Sequence, residues 1–366
     1  MPVAISSREP RVMMMAAVYT GNGQVSVEPI PVPEIGPGEL LVRVESCGIC
    51  HTDLKKISSD LLPPPRVYGH ETAGVVELAG AGVTKYRSGD WIVAFHHIPC
   101  LSCFYCSRKL YAQCALYKKV GITAGYEPAG GGFAQYVRLM DWIVERGVER
   151  IPPNVSFDAA CFVEPVNTCL KGIVQADPQP EDTVLIQGQG PIGLIFTMLA
   201  CRLGCKVLVT DRIAGRRELA RKFGAMEAWD PAVTPVAGEV RARTHGRGAD
   251  LVIVAASAKG LVDEAVQCSR PGSKILLFAQ TSRTETISIS GADICVGERQ
   301  LIGSYSASVD LQKESAELVF SGQLPVEELI SHRMPLSDLN TGIDMALHPA
   351  DGSMKIIVQP QRVVTT

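Results

Sequence analysis

The chain has 366 residues, a formal net charge of −3, 46% hydrophobic and 20% charged residues. That length can bury a full core and suggests two domains, and the charge balance argues against nucleic acid or an acidic membrane surface as the main partner. No apolar stretch of about 18 residues is available to span a bilayer, and no basic segment followed by an apolar one opens the chain, so a cytoplasmic protein is expected.

Residues 1–12 read as an extension ahead of the first strand. From 13 to 163, short β-type runs are cut by Gly and Pro: Ala16–Tyr19, Glu39–Val44, Gly74–Leu78 and Trp91–Phe95. They predict an irregular β-barrel-like domain. From Thr183 the pattern alternates. Val184–Ile186, Val207–Val209, Leu251–Val254 and Ile275–Phe278 are apolar strands, and Pro191–Leu203, Arg216–Phe223 and Leu261–Cys268 are helices between them. Fully apolar strands separated by helices predict a doubly wound parallel sheet, making the chain α/β, with this second domain over 164–303. The segment 304–366 returns to mixed patterning, with a helix near Leu311–Phe320 and a last strand at Lys355–Val358.

Twelve cysteines spread through a chain of this size, several inside apolar runs, read as thiols and metal ligands rather than a disulfide framework. Four of them, Cys100, Cys103, Cys106 and Cys114, form a C-x2-C-x2-C-x7-C run. Packing does not require thiols at that spacing, whereas a tetrahedral zinc does. A segment this short and this rich in Cys has no apolar core of its own, and a structural zinc would supply ordering energy on the order of 10 kcal/mol. The competing readings are a disulfide pair and an iron–sulfur site, although the last gap is long for the latter. A zinc ribbon for nucleic acid would need a basic, aromatic-studded surface, and only Arg108, Lys109, Lys118 and Lys119 cluster here.

Gly188-Gln189-Gly190-Pro191-Ile192-Gly193 fits G-x-G-x-x-G, follows a strand and opens a helix. Gly188 permits the tight turn, Gly190 lets the backbone approach a pyrophosphate, and Gly193 allows close helix–strand packing. The helix N-terminus offers free N–H groups to the phosphates. Asp211 closes the second strand eighteen residues later, where a carboxylate can accept from both ribose hydroxyls. A 2′-phosphate there meets like charge, which favours NAD over NADP, while guanidinium groups at Arg212 or Arg216 would work the other way.

Two further clusters hold potential ligands: Cys47-Gly48-Ile49-Cys50-His51-Thr52-Asp53 and Gly69-His70-Glu71. With the four-cysteine run and the glycine loop, in that order, they make the chain resemble the medium-chain zinc-dependent alcohol dehydrogenases from Met15 onward. The resemblance implies a GroES-like catalytic domain over 13–163, with a structural zinc lobe at about 96–118, completed by 304–366. It implies two zinc ions per subunit. Cys50 and His70 match catalytic ligands, Asp53 the carboxylate behind the imidazole, Thr52 and His51 the proton relay. Thr168 and Ile192 match positions beside the nicotinamide, and Lys355 a basic residue near the pyrophosphate.

Where the best-known members carry a second catalytic cysteine, this chain has Glu164-Pro165, which resembles the polyol (sorbitol-like) and threonine dehydrogenase branch. Glu164 or Glu71 then stands as the carboxyl ligand. His96 and His97 match pocket positions, and two imidazoles there favour a polyhydroxylated or amino-alcohol substrate. The expected reaction is NAD-dependent oxidation of a secondary alcohol, first of a polyol, second of a threonine-like β-hydroxy amino acid, third of a simple secondary alcohol. A non-catalytic NAD-binding relative is the alternative outside the enzyme class, although Cys50, Thr52 and His70 are all present. The resemblance also implies a homodimer or homotetramer assembled through an edge strand near Gln300–Ser304.

Overall fold

The computed structural model describes residues 12–59, 63–95, 98–119, 130–279, 286–350 and 352–362. The chain divides into two compact units. One comprises Met1–Phe162, His332–His348 and Ile356–Thr366, and the other Val163–Ser331 and Pro349–Lys355.

The first unit is built around the strand Leu40–Gly48. It pairs antiparallel with Glu71–Ala79, Tyr136–Leu139 and Lys355–Gln359. Glu71–Ala79 in turn pairs with Trp91–Ala94, and that strand with Val148–Arg150. Leu40, Val42 and Val44 point to one side of this sheet and are all but fully buried, as the two-residue period of a strand requires. A separate three-stranded sheet holds Met13–Gly21 between Gln24–Pro31 and Arg66–Val67. Of the expected extension, only Val12 falls within the described residues.

A network of polar side chains ties the C-terminal return into this unit. Asp158 accepts from Ser46 at 2.5 Å, from Arg333 at 2.6 Å and from Gln359 at 3.3 Å. Its carboxylate is nearly buried, and three donors satisfy it.

The second unit is a doubly wound sheet. Six parallel strands run in the order Glu227–Trp229, Lys206–Thr210, Thr183–Gln187, Ala249–Val254, Ser269–Leu277, Gln300–Gly303. The order reverses at Thr183–Gln187, whose five residues are all buried, and the crevice at such a reversal is where this fold binds nucleotides. The expected strands and helices are found here, with ends shifted by a few residues. Ser269–Leu277 begins six residues earlier than Ile275, because Pro271-Gly272 reads as a breaker and is tolerated at the start of the strand.

The last segment departs from the expected division. Residues 304–331 group with the second unit rather than completing the first. Helix Gln312–Phe320 packs on helix Val163–Ala176, and Asn167 exchanges hydrogen bonds with the Ser308 backbone at 2.8 and 3.1 Å while donating to Ser315 at 3.3 Å. Asn167 is fully buried, so these bonds fix the chain where the edge strand ends. Among the described residues, no helix is long and apolar enough to cross a membrane.

Candidate active site and metal centres

The register of the first unit assembles the ligand group. Gly48 at the end of one strand lies opposite Glu71 at the start of its neighbour. Two residues past Gly48 the chain turns into helix His51–Ser58, with Cys50 at its N-cap. One residue before Glu71 is His70, preceded by Gly69 at φ +96°. A Cβ on Gly69 would meet the Phe133 amide nitrogen at 2.8 Å and the Cys47 sulfur at 2.9 Å, so only glycine fits that turn.

One ligand atom from each of Cys50, His70 and Glu71 lies within 4.8 Å of the other two. His70 and Glu71 are buried and Cys50 is half-buried. Asp53, 0% exposed, contacts His70 Nδ1 through Oδ1 at 2.9 Å, leaving Nε2 as the nitrogen available to a metal. Burial opposes charge on both partners. For Asp53 that penalty is outweighed by the His70 imidazole, Lys56 and the Gly69 N–H, so its pKa is held below the usual range. For His70 it is outweighed by Asp53 and Cys50, which push the imidazole pKa well up. The Cys50 sulfur and the Asp53 carboxylate thus draw positive charge to one buried point, and a divalent cation meets the same demand. This donor set fits zinc.

The second cluster fits it as well. Cys103 and Cys106 sulfurs are 3.5 Å apart, Cys100 and Cys114 3.5 Å, and Cys100 and Cys106 3.9 Å. A tetrahedron of 2.3 Å metal–sulfur bonds has edges of about 3.8 Å. All twelve cysteines are free, so the disulfide reading is set aside. The Ser102 N–H and hydroxyl hold Cys100 down to about 6, while burial and neighbouring sulfurs push Cys106 up to about 12. With its pKa so raised, Cys106 does not ionise beside the other sulfurs unaided, and a cation among them lets it do so.

In the second unit the glycine loop has the geometry its sequence demands. Gly188 sits at φ +93°, and a Cβ there would lie 2.6 Å from that of Ala256. Gly190 caps helix Pro191–Arg202, with Pro191 in its first turn. Asp211 accepts from the Gln189 N–H at 2.6 Å and the Ile213 N–H at 2.8 Å, which fixes its carboxylate beside the loop. Arg216 Nη1 is 4.0 Å from Asp211 Oδ2, and its Nη2 donates to the Ser353 carbonyl at 3.0 Å. The Arg212 side chain is exposed, and its carbonyl accepts from Arg217 at 2.8 Å. Ile192 is half-buried in the first turn of the helix.

The remaining candidates are placed as follows. Glu164, 6% exposed, and Thr168, 8% exposed, lie on helix Val163–Ala176 of the second unit. Thr168 donates back to the Pro165 carbonyl at 2.9 Å. Lys355 is buried at the end of the same unit. Thr52 is half-buried and His51 exposed in the first turn of their helix. His96 and His97 lie outside the described residues.

A catalytic-domain fold carrying a Cys–His–Glu group, a four-thiol lobe and a dinucleotide loop defines a zinc-dependent oxidoreductase. Residues 36–147 match the model of the alcohol dehydrogenase GroES-like domain and residues 191–321 that of the zinc-binding dehydrogenases. The chain belongs to the medium-chain zinc-dependent alcohol dehydrogenase family. It is similar to D-xylulose reductase A of Aspergillus oryzae, with 30% identity over 88% of this chain and 91% of that one. It is also similar to sorbitol dehydrogenase of Bacillus subtilis, with 26% identity over 95% and 98%. A solved structure from Sinorhizobium meliloti 1021, described as a zinc-binding dehydrogenase bound to NADP, matches with a TM-score of 0.86 and 30% identity, covering 96% and 100%.

Proposed function

We propose that the protein oxidises a secondary hydroxyl of a polyol or sugar alcohol to the ketone, with NAD as hydride acceptor. The observation that carries this reading is the Cys50–His70–Glu71 group, in one chain with a glycine loop whose neighbouring carboxylate is already fixed. Cys50, His70 and Glu71 would hold the catalytic zinc. A zinc held there lowers the pKa of an alcohol hydroxyl, and a bound nicotinamide takes the hydride.

The chain's own residues do the rest. Asp53 holds His70 in one tautomer and orientation. The Thr52 hydroxyl accepts the proton leaving the substrate, and His51, exposed in the same turn, passes it to solvent. A single thiolate with carboxylate donates less charge than a pair of thiolates, which suits a substrate offering two oxygens. Relatives named for sorbitol and xylulose support that class. Gly188, Gly190, Pro191 and Gly193 would receive the pyrophosphate with Lys355, Thr168 and Ile192 would lie beside the nicotinamide, and Arg216 and Arg212 would flank the ribose end.

The NAD preference rests on Asp211. Its carboxylate accepts two N–H bonds, which hold it beside the loop, where it cannot swing away from a 2′-phosphate. Sugar alcohols, threonine and aliphatic secondary alcohols assayed with NAD and NADP test both parts together. Polyols with NAD should give the highest kcat/KM, and Asp211→Ala should move the NAD/NADP ratio about tenfold toward NADP, the weight of a charge-assisted hydrogen bond. Threonine or an alkanol ahead of every polyol removes the substrate reading, and an unmoved ratio removes Asp211 as its cause.

Self-association through Gln300–Gly303, as a dimer or tetramer, belongs to the same reading. That strand ends the six-stranded sheet, and Leu301 on it is 37% exposed, leaving a ladder for a second copy to pair with. Light scattering on the purified protein should give a multiple of the 39.3 kDa chain mass, and a monomer at micromolar concentration discards the interface.

A further inference from the structure

The glycine loop contains a side chain that its pattern does not specify. Gln189 fills the first variable position of the loop and is 0% exposed. Its Nε2 donates to the Gly188 carbonyl at 3.0 Å and lies 3.5 Å from that of Ile186. Its Oε1 accepts from the Thr197 hydroxyl at 2.9 Å. The same hydroxyl lies 3.0 Å from the Gly193 carbonyl one turn back, so its one proton is shared between two acceptors. Thr197 is also 0% exposed. The Gln189 backbone N–H completes the set by donating to Asp211.

These bonds bear on anion binding. A loop that receives phosphates must present N–H groups and turn its carbonyls elsewhere, since a carbonyl oxygen facing an anion repels it. A Cβ on Gly193 would run into the Gly188 oxygen, which places that oxygen against the helix. Gln189 Nε2 then satisfies it there. The amide is held in turn by Thr197, and Thr197 by the helix that carries the free N–H groups. A ring of buried hydrogen bonds therefore runs from the strand end through the loop to the second turn of the helix. In an interior shielded from water such bonds hold one conformation, because breaking any of them strands a polar atom.

We propose that Gln189 and Thr197 form a buried latch that keeps the loop in its phosphate-receiving conformation before the dinucleotide arrives. Gln189 is then a positioning residue for the pyrophosphate. Its contribution is preorganisation, which raises affinity by removing the ordering cost from the binding step. The inference rests on the dinucleotide reading of the loop.

Calorimetric titration of the zinc-loaded protein with ADP-ribose, and with adenosine as the probe lacking pyrophosphate, tests it. Gln189→Met keeps the volume and removes both side-chain bonds, and Thr197→Val is the near-isosteric change at the other end. ADP-ribose should bind about tenfold more weakly to Gln189→Met and about fourfold more weakly to Thr197→Val. The double variant should be no worse than Gln189→Met alone, the sign of one coupled unit. Adenosine affinity should stay within about twofold, and with saturating dinucleotide kcat should hold while KM for the dinucleotide rises. ADP-ribose affinity within twofold of wild type in Thr197→Val, or an equal loss for adenosine, overturns the latch; Thr197→Val decides alone if Gln189→Met does not fold. A wild-type protein that fails to bind ADP-ribose overturns the dinucleotide reading instead.

Discussion

Replacing His70 by Ala, or Cys50 by Ser, should lower turnover of the preferred alcohol on the order of a thousandfold or more, while NAD affinity stays within about twofold. The size follows from the chemistry the site supplies. Polarising an alcohol oxygen is worth several kcal/mol at the transition state, and each 1.36 kcal/mol is a factor of ten in rate. The separation of the effects follows from placement, since both ligands lie in the first unit and the glycine loop in the second. Metal analysis should fall from two zinc ions per chain to one. Turnover that survives in a variant holding only one zinc would remove this site from the reaction.

Cys106→Ser should act on stability rather than chemistry. Cys106 is 5% exposed and its sulfur sits 3.5 Å from that of Cys103 and 3.9 Å from that of Cys100, so it is central to the four-thiol group. Much of the apolar surface around it is left to solvent: Leu101, Phe104, Tyr105 and Leu110 are all exposed. Structural zinc contributes on the order of 10 kcal/mol in small metal domains, and losing one thiolate of four forfeits several of them. Melting should fall by about 5–10 °C, and limited proteolysis should open the chain between Phe104 and Leu110. The remaining zinc should be the one at Cys50 and His70. Unchanged melting with both metals retained would show that the lobe does not depend on the ion.

The two metal groups differ in how far they could be read from residue order. The lobe is local: four cysteines within fifteen positions can only be brought together by tight turns. The group at Cys50, His70 and Glu71 spans about twenty residues, and nothing in their types says they meet. They meet because Gly48 pairs with Glu71, and only the resemblance to the family pointed to them beforehand. Helix Val163–Ala176, which carries Glu164, Asn167 and Thr168, has no counterpart in the pattern reading. Pro165 looks like a breaker, yet in the first turn of a helix it has no bond to lose. Gln189 and Thr197 were equally silent, since a variable position in a glycine loop constrains no side chain.

Residue order alone determined the alternation of apolar strands and helices, the glycine loop with its acidic partner, and the four-cysteine knot, because each is written over a few turns of chain. Only the tertiary structure decided that 304–331 pack with the dinucleotide unit, which oxygen of Asp211 is held by the loop, and that Glu71 stands beside Cys50 and His70. Those outcomes depend on strand register and on buried hydrogen bonds between distant segments, and neither leaves a local periodicity to read.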